Sequence, residues 1–216
     1  MSKRNSLQSS PYKIVLIGDQ SSGKTSFFNK VTSGIFRENC LSTIGMDKRT
    51  VFEVIKDGEN KDLRVPVSLW DSAGQEKFRE ISACYVRGAD GVILMFGIDS
   101  EDSMRNLKLW LDLIVKNIGD YKSSGNVVLK LIGNKEDLRG ENNDFRMDVS
   151  KVENEIKGMG VDFEGFISVK LDSKEKLEAI INKMAQEIYE KKGLKNRKDV
   201  VTLQQDNNKE KRRFFC

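Results

Sequence analysis

Histidine is missing from all 216 residues, which excludes imidazole triads, histidine metal sites and histidine general bases. Any catalysis must rest on carboxylates, amides, lysines, backbone groups or a metal ion. Cysteine is scarce: Cys40, Cys84 and Cys216 are odd in number, far apart and form no C-x-x-C, which fits a reducing compartment better than a disulfide framework. No apolar run approaches the roughly 18 residues of a membrane span, and residues 1–11 lack the apolar stretch of a signal peptide. The chain reads as cytoplasmic, with any membrane attachment peripheral. A formal net charge of +4 is too small to imply nucleic acid. What remains is a globular balance, 38% apolar and 32% charged, at a length suited to one domain with tails.

After the polar leader, residues 12–17 form an apolar, β-branched run that stops at Gly18. A glycine-containing loop then opens an amphipathic stretch over residues 24–31, and the order reads strand, loop, helix. Residues 50–55 and 63–70 alternate around a turn at Asp57-Gly58, predicting an antiparallel pair whose second strand is weakened early by Pro66. Residues 91–98 and 126–132 are near-continuous apolar runs, while 101–117 carries Met104, Leu107, Leu111 and Ile114 at helical spacing. Residues 161–169 predict a last strand. Residues 173–189 predict a last helix, striped by Leu177, Ile180, Ile181, Met184 and Ile188. The alternation implies an α/β fold with a mostly parallel sheet and helices on both faces. From residue 191 the chain turns basic and polar before Phe214, Phe215 and Cys216, so 191–216 is read as a disordered tail.

The stretch Gly18-Asp19-Gln20-Ser21-Ser22-Gly23-Lys24-Thr25 fits G-x-x-x-x-G-K-[ST] between a predicted strand and a predicted helix, the context the motif needs. Backbone N–H groups from about Ser21 to Thr25 wrap the phosphates, within a binding set that runs Gln20, Ser21, Ser22, Gly23, Lys24, Thr25 and Ser26. Lys24 reaches the β and γ oxygens, and the Thr25 hydroxyl ligates Mg²⁺. This loop alone leaves adenine and guanine open. Asn134-Lys135-Glu136-Asp137 decides between them: a carboxylate there takes both guanine donors, the ring N1–H and the exocyclic amine, and adenine offers no such pair. Asn134 ties the loop together, and the Lys135 stem lies over the ring.

These residues, with the run Trp70-Asp71-Ser72-Ala73-Gly74-Gln75-Glu76, resemble the Ras-like small GTPase superfamily over about residues 12–189. The resemblance implies a P-loop NTPase fold of three layers, with a six-stranded sheet that has one antiparallel edge strand and a GTP-binding domain over 12–190. It implies that Asp71 holds Mg²⁺ through water, that the Gly74 N–H contacts the γ-phosphate and that Gln75 orients the attacking water. Catalysis then rests on Gln75 and Lys24, as positioning and charge stabilisation. Thr43 matches the threonine that ligates Mg²⁺ while the γ-phosphate is present, and Phe36 matches the aromatic that packs on guanine. Ser168-Val169-Lys170 resembles the family's S-A-K base-binding loop, with valine for alanine in a contact made mainly by backbone.

Residues 44–47, 75–78, 85–89 and 94–99 are similar to the Rab branch, which organises vesicle traffic. Lys48 departs: Rabs usually carry phenylalanine there, in an aromatic patch with the residues matching Trp70 and Tyr85, so a charge interrupts an effector-facing surface. Rabs mostly end in two prenylated cysteines. Here Cys216 alone is the lipidation candidate, with the basic tail adding attraction to an anionic leaflet. The expectation is a monomeric GTP hydrolase and switch that uses Mg²⁺ and GTP or GDP. It would meet effectors, an exchange factor, a GTPase-activating protein and a dissociation inhibitor at the cytoplasmic face of an intracellular membrane. The rivals are a GTP-dependent binding module with negligible hydrolysis and an ATP-dependent phosphotransferase.

Overall fold

In the computed structural model, residues 10–38, 41–119, 127–138, 154, 156–159 and 161–213 are described, the last twenty through their backbone only. Strand β1 (Tyr12–Ile17) leads through the glycine loop into α1 (Lys24–Ser33). Two long strands, β2 (Met46–Lys56) and β3 (Asp62–Ser72), follow, and then the short helix α2 (Arg79–Cys84). Strand β4 (Gly91–Gly97) precedes α3 (Glu101–Arg105) and α4 (Leu107–Ile118). Strand β5 (Val128–Asn134), strand β6 (Asp162–Phe166) and helix α5 (Lys174–Arg213) complete the order.

The sheet has six strands in the order β2-β3-β1-β4-β5-β6, with β2–β3 antiparallel and the other pairs parallel. The architecture expected from the alternation is the one observed. Central strands β4 and β5 are buried at every position, because helices cover both of their faces. One face packs Phe27, Phe28 and Val31 of α1 with Leu177, Ile181 and Met184 of α5 over Ile14, Leu16, Val67 and Leu69. The other packs Leu107, Trp110 and Ile114 of α4 over Val15, Ile17, Leu94 and Phe96.

Several boundaries differ from the periodicity. The helical stretch over 101–117 divides at Asn106 into two helices, and the Asn106 amide donates to the carboxylate of Asp19. Pro66 does not interrupt the β2–β3 register and pairs with Phe52. Pairing of β3 with β1 begins at Val67, so the proline stands where β3 has a neighbour on one side only. Edge strand β2 is held from below by α5: Gln186 exchanges two hydrogen bonds with the backbone of Lys56, and Asn182 donates to Val54. Helix α5 runs on to Arg213, across much of the segment read as a tail. Asn39, Cys40 and Cys216 lie outside the described residues.

Candidate functional site

The loop between β1 and α1 bends because Gly23 takes φ 95°, a left-handed conformation that favours glycine. A side chain there would also collide with Asn134: a β-carbon at Gly23 would sit 2.0 Å from its Nδ2. That approach is how β5 touches the loop. Asn134 Nδ2 donates to the Ser22 carbonyl at 3.0 Å, and its Oδ1 accepts from the Val169 N–H at 3.1 Å. One buried amide thus joins three segments far apart in sequence.

A cleft of about 340 Å³ opens along these segments. Gln20, Ser21, Gly23, Lys24, Thr25, Ser26, Thr43 and Gly74 line one end, and Phe36, Asn134, Lys135, Val169 and Lys170 line the other. Ser22, Asp71, Asp137 and Ser168 stand behind this lining, and Gln75 follows Gly74 at the start of a short 3-10 turn over Glu76–Phe78. The structure therefore gathers most of the sequence-predicted residues around one opening. Gln75 is not among the lining residues, and Cys216 lies outside the described residues.

At the first end, Lys24 is buried, and its Nζ donates to the Asp19 carbonyl at 2.7 Å and to Ser22 Oγ at 3.3 Å. Burial pulls its pKa down to about 8, against the opposing pull of Asp71 and Asp19. Thr25 Oγ1 donates to Asp71 Oδ2 at 2.7 Å and lies 2.8 Å from Thr43 Oγ1. Burial pushes Asp71 up to about 6, while the Thr25 hydroxyl and the Lys24 charge pull the other way. Its Oδ1 is buried and has no hydrogen-bond partner among the described residues. Two hydroxyls and one carboxylate with a spare lone pair form a hard-oxygen set that fits Mg²⁺, an ion that takes one or two carboxylates and completes its shell with water and phosphate. Among the described residues, no group of three His, Cys, Asp or Glu offers a denser metal cage. Gly74 approaches so closely that a β-carbon would meet Lys24 Nζ at 2.5 Å and the Asp19 carbonyl at 2.7 Å.

At the second end, the Ser168 hydroxyl donates to Asp137 Oδ1 and accepts from the Leu171 N–H. Lys135 takes φ 69° and donates to Asp99 Oδ2 at 2.6 Å, which holds its stem along the cleft wall. Lys170 pairs with Glu38 at 2.7 Å, closing the rim.

Two groups escaped the sequence reading. Lys30 is buried on α1, where it donates to the carbonyls of Val169 and Lys170 at 2.7 and 3.1 Å, with Phe36 5.8 Å away. Its signal was a charge three residues from Phe27 on the apolar stripe. Asp19 stands at an unspecified position of the G-x-x-x-x-G-K-[ST] motif. Its carboxylate accepts from Arg79 at 3.2 Å, Asn106 at 2.6 Å and Trp110 at 2.7 Å, tying the glycine loop to α2 and α4. Asn106 and Trp110, four residues apart with polar tips on one face, were the available hint.

The Ras family model matches residues 13–190. Among similar proteins, the Ras and EF-hand domain-containing protein of Xenopus tropicalis is 41% identical over 59% of this chain and 16% of its own length. The Ras-related protein RABD2a of Arabidopsis thaliana is 38% identical over 59% of the chain and 58% of its own length. The Ras-related protein Rab-12 of Homo sapiens is 33% identical over 68% of the chain and 56% of its own length. The chain thus spans a small part of the first and just over half of the other two.

Proposed function

The chain belongs to the Ras family of small GTPases, and on that premise we propose that it is a Rab-like guanine-nucleotide switch that hydrolyses GTP slowly and regulates vesicle trafficking. The observation that carries this reading is the division of one cleft into an oxygen-and-lysine end and a carboxylate-and-amide end, joined by Asn134.

In this reading Asp137 has one oxygen engaged by Ser168 and offers the other to the guanine donors. Phe36 and the Lys135 stem flank the base, and the backbone of Ser168, Val169 and Lys170 closes over it. The N–H groups from Gln20 to Ser26 hold the phosphates, and Lys24 exchanges the Asp19 carbonyl for phosphate oxygens. Thr25 and Thr43 directly, and Asp71 through water, would hold Mg²⁺, whose chemistry is charge neutralisation and orientation of the phosphates. Gln75 orients the attacking water while the Gly74 N–H meets the γ-phosphate, so loss of that phosphate releases both segments. Arg79 is engaged by Asp19 and lies 5.4 Å from the Trp110 ring, which supports the view that a GTPase-activating protein supplies the stabilising arginine in trans. Residues 12–190 form the GTP-binding domain, after an N-terminal leader over 1–11. The basic segment 191–216, lipidated at Cys216, brings it to the cytoplasmic face of an intracellular membrane, where effectors, an exchange factor and a dissociation inhibitor meet it.

Single-turnover hydrolysis of bound GTP tests the reading, with and without a Rab-directed GTPase-activating protein. Slow release that the activator accelerates, and that Gln75→Leu abolishes, is the expected result. No release above the buffer rate in any arm would replace the switch with a GTP-dependent binding module.

A further inference from the structure

Among the described residues no helix covers the outward face of the β2–β3 pair. Strand alternation places Lys48, Thr50, Phe52, Val54 and Lys56 of β2 on it, opposite Trp70, Ser68, Pro66, Arg64 and Asp62 of β3. Helices α2 and α4 cover the same side of β1, β4 and β5 and reach only as far as Trp70. Phe52 and Val54 are consequently 57% and 54% exposed.

Cations frame this strip in fixed positions. The Trp70 indole is flanked by Lys13 Nζ at 4.3 Å and Lys48 Nζ at 5.3 Å, and Arg64 lies 4.2 Å from the Phe52 ring. Stacking on a ring leaves the N–H groups of a cation available while restraining its side chain. Of the four cations at this face, Lys13 donates to the Arg87 carbonyl at 2.8 Å and feels the Asp90 carboxylate, and Lys56 is paired with Asp62 at 2.6 Å, which leaves Lys48 and Arg64 as the uncompensated pair. Among the described residues no carboxylate forms an ion pair with Lys48 or Arg64. The two stacked ends are four strand residues apart, roughly 13 Å at about 3.3 Å per residue.

We propose that this strip docks an acidic, apolar-containing segment of a protein partner, with carboxylates on Lys48 and Arg64 and apolar side chains against Trp70, Phe52 and Val54. Aromatic anchors beside fixed cations are the composition that carries binding energy at protein interfaces, and the uncompensated positive charge sets the sign of the partner. The inference rests on the switch reading in one respect. Strand β2 starts three residues after Thr43 and β3 ends two residues before Gly74, so the Lys48–Trp70 end follows both segments proposed to respond to the γ-phosphate.

The test is fluorescence anisotropy of a labelled peptide of alternating glutamate and leucine, titrated with the full chain loaded with GDP or a non-hydrolysable GTP analogue. The lysine–leucine peptide is the charge control, and vesicles of phosphatidylserine and phosphatidylcholine are the lipid control. The acidic peptide is expected to bind the GTP-analogue form, and Lys48→Glu or Arg64→Glu to weaken it about tenfold or more. Lys108→Glu, on the exposed side of α4, should change it by less than about twofold, with GDP affinity equal in all variants. No binding of the acidic peptide, equal binding of the basic one, or insensitivity to both substitutions overturns the proposal. So does vesicle binding that both substitutions abolish while the peptide stays unbound, which would give the face to anionic lipid. Equal peptide binding in both nucleotide forms, still lost in Lys48→Glu and Arg64→Glu, upholds the docking strip and fails the switch reading alone.

Discussion

At the base end of the cleft, Asn134 and Lys30 satisfy the backbone of Ser22 and Val169 through buried hydrogen bonds, and Ser168 donates to Asp137. At the phosphate end, Asp71 Oδ1 has no partner among the described residues, and burial pulls Lys24 down and pushes Asp71 up, each toward neutrality. The first end is assembled by the protein for itself; the second gathers opposite charges at a desolvation cost that the protein alone does not offset. A ligand with anionic phosphates and a divalent cation relieves that cost. Binding and folding stability are therefore coupled most strongly at the phosphate end.

The largest expected effect comes from breaking the end that is satisfied. Asn134→Ala leaves the Ser22 carbonyl and the Val169 N–H buried and unpaired, at about 1–3 kcal/mol each. Urea denaturation with and without GDP should show stability and affinity falling together. Asp71→Asn should split the two. In nucleotide-free protein stripped of metal it removes a buried charge, and stability at neutral pH should rise by up to about 3 kcal/mol, while Mg²⁺-dependent nucleotide affinity collapses. The sign follows from the raised value: the carboxylate penalty is present above about pH 6 and fades as pH falls toward 3.8, the ordinary aspartate value. Denaturation curves across that range should show the advantage of the variant vanishing with acid.

Asp19→Asn probes the junction of the glycine loop with α2 and α4. Losing the charge-assisted bond from Arg79 should cost about 1.5–3 kcal/mol locally, read as faster hydrogen exchange over residues 76–84 with the core unchanged. The smallest effect belongs to Glu53, a carboxylate outside the cleft that burial also raises, opposed by its hydrogen bond from Asn182. Glu53→Gln should raise stability at neutral pH by roughly 0.5 kcal/mol. The gain should shrink on acidification and be the same with and without GDP, since no ligand meets that site.

The gathering of Lys24, Thr25, Thr43, Gly74 and Asn134 around one cleft was legible in sequence because each sits in a short motif whose spacing is imposed by atoms it must reach. The sheet was legible because β4 and β5 are apolar at nearly every position. Asp19, Arg79, Asn106 and Trp110 were not, since four residues from three elements meet only through tertiary packing and no local period relates them. Lys30 was hidden for the opposite reason: its stripe position belongs to the core, and only the carbonyls of Val169 and Lys170 explain a charge there. The continuity of β3 through Pro66 likewise depends on neighbours, not on propensity.

The most direct test of the account is competition between GDP and xanthosine diphosphate for the chain in Mg²⁺, before and after Asp137→Asn. The substitution exchanges a two-lone-pair acceptor for a group that also donates, and xanthine offers a carbonyl where guanine offers its amine. The account predicts that GDP prevails by orders of magnitude in the original chain and that the preference reverses in the variant while phosphate-end contacts persist. Unchanged preference, or equal affinity for ADP, would contradict the assignment of Asp137 and with it the base end of the cleft.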